Sequence, residues 1–187
     1  MANVLFISET FVKDNTLLHE NIDFKFLRPV IILCQDIHLQ PKIGTTLYNE
    51  LKTQITASTL TTDNTTLLND YIQPMLLYWV QAEAPAAISY KFLNKGLMQQ
   101  SSENSSVASL DEINFISKKY KDKAEWYTER LVSYLLENST LFPAYQSPES
   151  GLDVIQPDTR TYTTGMYLGR TPKVISLEDK YETRRKY

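Results

Sequence analysis

Apolar positions recur at helical spacing through most of the first 143 residues, and the period disappears after them. Beyond Asp23, a capping residue type, Leu27, Ile31, Cys34 and His38 share one face, flanked by Val30, Leu33 and Ile37. This predicts a helix over 23–39, with Pro29 either opening it or interrupting its first turn. The run Val30 to Leu33 would also suit a buried strand, but its length and the following Gln35-Asp36 favour helix. Pro41 stops the helix, Gly44 permits a left-handed turn, and Thr45 or Thr46 caps a second helix with Leu47, Tyr48, Leu51 and Ile55 on one face.

The Thr-rich stretch 56–65 reads as a loop. A third helix starts near Thr65 and passes Leu68, Ile72, Met75, Leu76 and Trp79 on its way to Leu93. Pro74 predicts a kink; with Pro85, it predicts one long bent helix or two helices meeting near Glu83. Ala82, Ala84, Ala86 and Ala87 leave room for a close neighbour. Residues 96–108 are a polar loop. Ser109 followed by Glu112 forms a capping box, opening a helix from Leu110 to about Asn138. Its expected buried stripe is Ile113, Ile116, Tyr120, Ala124, Tyr127, Leu131, Tyr134 and Leu135, and Phe142-Pro143 ends it.

The two ends differ from this middle. Residues 1–22, with Leu5, Phe6, Ile7, Phe11 and Val12 among polar residues, predict an extended arm or short strand. Residues 144–187 are dominated by Pro, Ser, Thr, Tyr and Gly and predict a long extended tail, with alternation around Gly165 that suits a short β-hairpin. Val154, Ile155, Tyr162, Met166, Tyr167, Leu168, Val174 and Ile175 are not what a solvated linker needs, so the tail calls for another surface, another chain's included. The fold class is mainly α: a small helical bundle over 23–143, an N-terminal arm over 1–22 and a C-terminal tail over 144–187.

Composition narrows the function. The chain has 187 residues, 42% hydrophobic and 22% charged, which suits one soluble globular domain. Its net charge of −3 gives no basic field for non-specific nucleic-acid binding. The 5 Gly argue against Gly-rich phosphate loops, while the 12 Tyr suit surfaces that are half apolar and half polar. A single Cys excludes an intrachain disulfide and a Cys-rich zinc module. The first residues lack the pattern of a secretory signal, and no apolar run approaches the ~18 residues of a membrane span.

Four patterns could carry chemistry. Cys34 and His38 stand four apart on one helix face, as two metal ligands would, yet no second Cys exists and both fall on the buried stripe, so packing accounts for them. The corner between Arg28 and Ile55 could be a DNA-reading helix–turn–helix, but its second helix opens Thr45 to Lys52 with one basic residue. Asp111 and Glu112 suit the positive end of a helix, and Glu125 with Glu129 a solvated face. The basic end Arg184-Arg185-Lys186 is offset by Glu178, Asp179 and Glu182. A small enzyme would have to assemble a site from Asp36, His38 and Glu83. A helical-bundle regulator of protein or nucleic acid is the alternative from another class.

The pattern as a whole is more informative. From Asn21 to Leu51 it reads NID-x-K-F-L-x-P-V-I-x-x-x-Q-D-x-x-L-x-P-x-I-G-x-x-L-Y-x-x-L. A Thr-rich loop, the Pro-bent LLYWVQAEA helix (76–84), a capped long helix and an extended tail follow. Over roughly residues 1–145 this resembles the head-to-tail connector proteins of tailed bacteriophages, especially the ring proteins beneath the portal in phages of Bacteroidetes, the crAss-like group included. The resemblance implies a ring of twelve copies that binds the portal and the next neck or tail protein. Packaged DNA would pass through it without sequence-specific binding, and no cofactor or catalytic residue is implied. It places the chain in the virion, and in the host cytoplasm during assembly. Under the resemblance, Tyr162, Tyr167, Arg170, Tyr181, Arg184 and Arg185 become the tail's interface residues. Read from the residues themselves, the period, the Gly44 turn and the Thr45 or Thr46 cap make Asp36, Gly44, Leu47 and Tyr48 a structural corner, with Asp36 capping or pairing locally, as with Arg28 or Lys42.

Overall fold

Helix starts are set by short polar side chains that accept hydrogen bonds from the first free amides. In the computed structural model, which describes residues 4–93, 96–99, 109–148, 151 and 154–159, four helices open this way. Ser8 caps α1 (Glu9–Asn15), Asp23 caps α2 (Phe24–Cys34), Thr61 caps α4 (Thr62–Thr66) and Ser109 caps α6 (Leu110–Glu137). The capping box at Ser109 and Glu112 is complete, with Oε2 of Glu112 accepting from the Ser109 amide at 2.8 Å. The other helices are α3 (Gln40–Ala57), α5 (Gln73–Ser89) and α7 (Pro143–Gln146), the last with proline in its first turn. The architecture is mainly α, as expected.

Pro41 and Pro74 each sit just after a widened turn, and at Pro41 this overturns the expected stop. Pro41 does not stop its helix: a π-helical turn over Gln35–Leu39 carries α2 into α3, and the Gln40 amide donates to the Gln35 carbonyl five residues back. Pro74 follows a second such turn, Leu67–Ile72, in which the Gln73 amide donates to Leu68. A proline ring ordinarily collides with the carbonyl four residues earlier; a widened turn directly before it makes the room. The chain direction changes at Gly44 instead, whose φ of 80° and ψ of 155° lie in a region that only glycine tolerates, beyond the expected left-handed turn.

Other boundaries also move. Within the expected N-terminal arm or short strand, residues Glu9–Asn15 form α1, and Phe6, Ile7 and Val12 are buried in the main core, so their apolar character reflects burial and not a strand. The loop 56–65 shrinks to a few residues between α3, which ends in left-handed Ser58, and α4. Buried Asn64 ties them, donating to Glu50 at 3.1 Å and Gln54 at 2.8 Å. α5 passes Pro85 as one helix but ends at Ser89, short of Leu93. Tyr90–Leu93 (β1) instead pairs antiparallel with Gly96–Gln99 (β2), with Tyr90 opposite Gln99, inside what reads as the helix end and the start of a polar loop.

α5 occupies the centre, packed on α2 and α6. Met75, Leu76, Leu77, Trp79, Val80, Ala82 and Ala84 are buried around most of its circumference, which is what a central helix requires. Two rungs fix its antiparallel register on α6: Tyr71 stacks on Tyr134 at 3.9 Å, and Tyr78 on Tyr127 at 4.7 Å. Tyr71 in the π-turn before α5 and Tyr78 within α5 stand about two helical turns apart, as do Tyr127 and Tyr134 on α6. Arg130 lies over the Tyr71 ring and Lys123 near the Tyr78 ring. Beside the second rung, the Trp79 indole donates to Thr128 at 3.1 Å, and Thr128 donates to the Ala124 carbonyl at 2.8 Å. Thr128 and Val132 join the buried face of α6, whereas Ile116, expected there, is exposed.

Candidate interaction site

The corner between α2 and α3 holds both ends of the described chain. Gln35 opens the π-turn and is buried, so its amide must find partners inside. Its Oε1 accepts from the Phe6 amide at 2.9 Å, and its Nε2 donates to the Val4 carbonyl at 3.1 Å. Gln73, just after the second π-turn, donates to the Phe6 carbonyl at 3.3 Å. Two glutamine side chains thus satisfy the N-terminal segment as a neighbouring strand would. Asp36, the next residue, is exposed and accepts from the Tyr48 hydroxyl at 2.8 Å. That bond spans the Gly44 break, so Asp36 does brace the corner, through Tyr48 and not through Arg28 or Lys42. Burial, together with the Asp36 carboxylate, pushes the Tyr48 hydroxyl well above its ordinary pKa. Phe6 meets the Tyr48 ring edge-on and Lys52 lies over it at 4.2 Å. Leu47 is buried beneath.

The break at Gly44 makes a notch, and residues 154–159 lie across it as a strap. The Thr45 amide donates to the Ile155 carbonyl at 2.9 Å, and the Ile155 amide donates to Thr45 Oγ1 at 3.0 Å. The Asp158 amide donates to the Pro41 carbonyl at 2.8 Å. Lys42 Nζ stands 3.2 Å from Asp158 Oδ2. Pro157 sits directly over Gly44, where an added Cβ would lie 2.8 Å from its Cγ and 2.9 Å from its Cδ. Thr45, expected to cap a helix, spends its hydroxyl on the strap and on the Gln40 amide group, 3.1 Å away. A groove of about 370 Å³ continues beside the strap, lined by Thr45, Thr46, Asn49, Glu50, Thr53 and Val154.

The residues weighed for chemistry do not converge. His38 stacks flat on Trp79 at 3.5 Å, and its Nε2 is 3.6 Å from Glu83 Oε1. Asp36 faces Tyr48 instead, so the trio Asp36, His38 and Glu83 is not assembled. Burial, helped by Lys121, holds the His38 pKa down to about 4. Half-exposed Glu83 would attract only the protonated form, and desolvation outweighs it. Cys34 is fully buried, and burial with the Glu83 charge pushes its thiol up to about 12. Among the described residues, no group of three His, Cys, Asp or Glu could hold a metal, and no helix is long and apolar enough to cross a membrane.

Sequence reasoning found Asp36, Gly44, Leu47 and Tyr48 as a corner but missed Gln35 and Gln73 as anchors. The available signal was glutamine within an apolar stripe and the repeated Gln-Pro pairs at 40–41 and 73–74. Tyr162, Tyr167, Arg170, Tyr181, Arg184, Arg185 and the alternation around Gly165 lie outside the described residues. On α6, Phe115 and Trp126 are 70% and 56% exposed and, three turns apart, share a face.

A profile for a family of unknown function (DUF6712) matches residues 39–153. No curated protein and no solved structure matches the chain.

Proposed function

We propose that this chain, which belongs to the DUF6712 family, is a structural virion protein: a subunit of a ring beneath the portal that joins phage head to tail and extends the DNA channel. One observation carries the reading. The segment that resembles connector proteins, Gln35-Asp36 through Gly44 to Leu47-Tyr48, is the part of the body that grips both ends of the described chain. A subunit that must hold arms at a fixed angle to a rigid wedge needs such residues; an enzyme has no special use for them.

Copies pack side by side around an axis through unlike faces, and the rotation closes the ring. Twelve copies match a portal's symmetry. The exposed Phe115 and Trp126 on α6 are the kind of residues that anchor such contacts. The sequence beyond the strap, with Tyr162, Tyr167, Arg170, Tyr181, Arg184 and Arg185, reaches the portal or the next neck protein. A net charge of −3 lets packaged DNA slide past without a sequence-specific hold.

The test is microscopy and mass spectrometry of purified particles. A ring of this chain between portal and tail is the expected result, and its absence from intact particles refutes the reading. Removing residues 146–187 should leave the helical body folded yet unable to join the particle; full incorporation of that truncation counts equally against it.

A further inference from the structure

We propose that the Gly44 notch is a binding site for an extended Val-Ile-Gln-Pro-Asp peptide, and that in the assembled state its occupant is the strap of a second copy of this chain. The recognition is local and self-contained. The strap's bonds to the body include those to Pro41, Lys42 and Thr45, with Pro157 filling the space that Gly44 leaves. Two main-chain bonds, one hydroxyl bond, one ion pair and one proline seat define a peptide site of the strand-addition kind. None of them depends on which chain delivers the peptide.

The tether permits exchange. Residues 147–153 separate the end of α7 from Val154. Seven residues reach roughly 24 Å when extended, about the width of a small helical body. The strap lies on the surface, with Ile155 43% exposed, where local opening is easiest. Exchange between identical chains keeps every bond made in cis and costs only association entropy, which proximity within an assembly lowers. A second copy is the occupant because this chain itself carries the sequence that fits the notch.

The ion pair gives the test. In full-length Lys42→Asp, the notch repels its own Asp158; in full-length Asp158→Lys, the strap repels its own Lys42. Mixed, each notch finds a complementary strap only in trans. Sedimentation of the mixture should show association at concentrations about tenfold lower than for either variant alone, weakened by salt. Carbodiimide cross-links between positions 42 and 158 should appear as intermolecular Lys–Asp pairs. The double variant K42D/D158K in one chain should return to wild-type behaviour. Adding Gly44→Val to both partners should abolish the association. A mixture that sediments as the sum of its parts without 42–158 cross-links overturns the proposal, as does association that survives Gly44→Val. If a charge variant lost its helical signal, wild-type chains grown on light and heavy nitrogen would be mixed instead. A mixed-mass Lys42–Asp158 cross-link then supports exchange and its absence refutes it. The exchange deepens the ring reading, but the purified chain alone tests it, so either can fail without the other.

Discussion

Pro157 lies so close over Gly44 that an added Cβ would stand 2.8 Å from its Cγ, and Gly44 itself holds a φ of 80°. One position therefore combines a glycine-only backbone with a space that only glycine leaves. Gly44→Ala should cost roughly 1–3 kcal/mol in backbone strain alone, and it should also lift the strap. Urea denaturation reads the first effect. Faster hydrogen exchange at the Thr45 amide, which donates to Ile155, reads the second. Unchanged exchange at Thr45 would mean that the strap does not depend on this contact.

Gln35 is the corresponding anchor for the other end. Gln35→Leu keeps the volume nearly constant but leaves the Phe6 amide and the Val4 carbonyl without their side-chain partners. The buried Phe6 amide, orphaned in the interior, should cost roughly 1–3 kcal/mol, and the half-buried Val4 carbonyl less. The Phe6 amide should lose its protection from exchange well before the α5–α6 pair loosens. Loss of stability with Phe6 still protected would place the effect elsewhere.

The corner shows why part of this was legible in the sequence and part was not. Helical periodicity and the Ser109 capping box depend on residues within a turn or two of each other, so α6 could be read almost to its last residue. Gly44 could be read as a break for the same reason. Its partner could not: Pro157 lies more than a hundred residues away, and nothing local in Val154 to Asp158 says which surface its apolar residues need. Pro41 misled because its rule assumes a regular helix, and a π-turn before it removes the collision. Phe6, Ile7 and Val12 misled because aromatic and β-branched residues signal burial as readily as strand.

The tyrosine rungs make a quantitative case. Tyr78 and Tyr127 stack at 4.7 Å across the α5–α6 interface. A double-mutant cycle through Tyr78→Leu and Tyr127→Leu should return a coupling of about 0.5–1.5 kcal/mol. Phe at either position, which keeps the ring, should retain most of it. Zero coupling in the leucine cycle would show that the two rings contribute through burial alone.

Cys34 offers a probe of opening. Its thiol is fully buried and pushed up to about 12, so almost no thiolate exists near neutral pH. Since the thiolate is the reacting form, a disulfide reagent at pH 8 should label Cys34 far more slowly in the native chain than in urea. The rate should follow the opening of the core around α2. Native labelling as fast as that of the unfolded chain would contradict this packing.

His38 should make stability depend on pH in a defined window. Its ordinary pKa is 6.5, and burial against Trp79 with Lys121 nearby lowers it to about 4 in the folded chain. Between those values the unfolded chain binds the proton more readily, so stability falls as pH falls. The contribution is fully present above pH 6.5 and exhausted near pH 4, with a ceiling of about 3 kcal/mol. Glu83, at 3.6 Å from Nε2, offsets part of it by pairing with the protonated ring. His38→Phe keeps a flat ring on Trp79 and removes the proton. Subtracting its stability curve from that of the wild type, from pH 7 to pH 4, cancels the carboxylates that titrate in both. The difference should move steadily in favour of the variant as pH drops. A flat difference would mean that His38 carries its proton in the folded chain as easily as in the unfolded one, and that the stack on Trp79 is open to water.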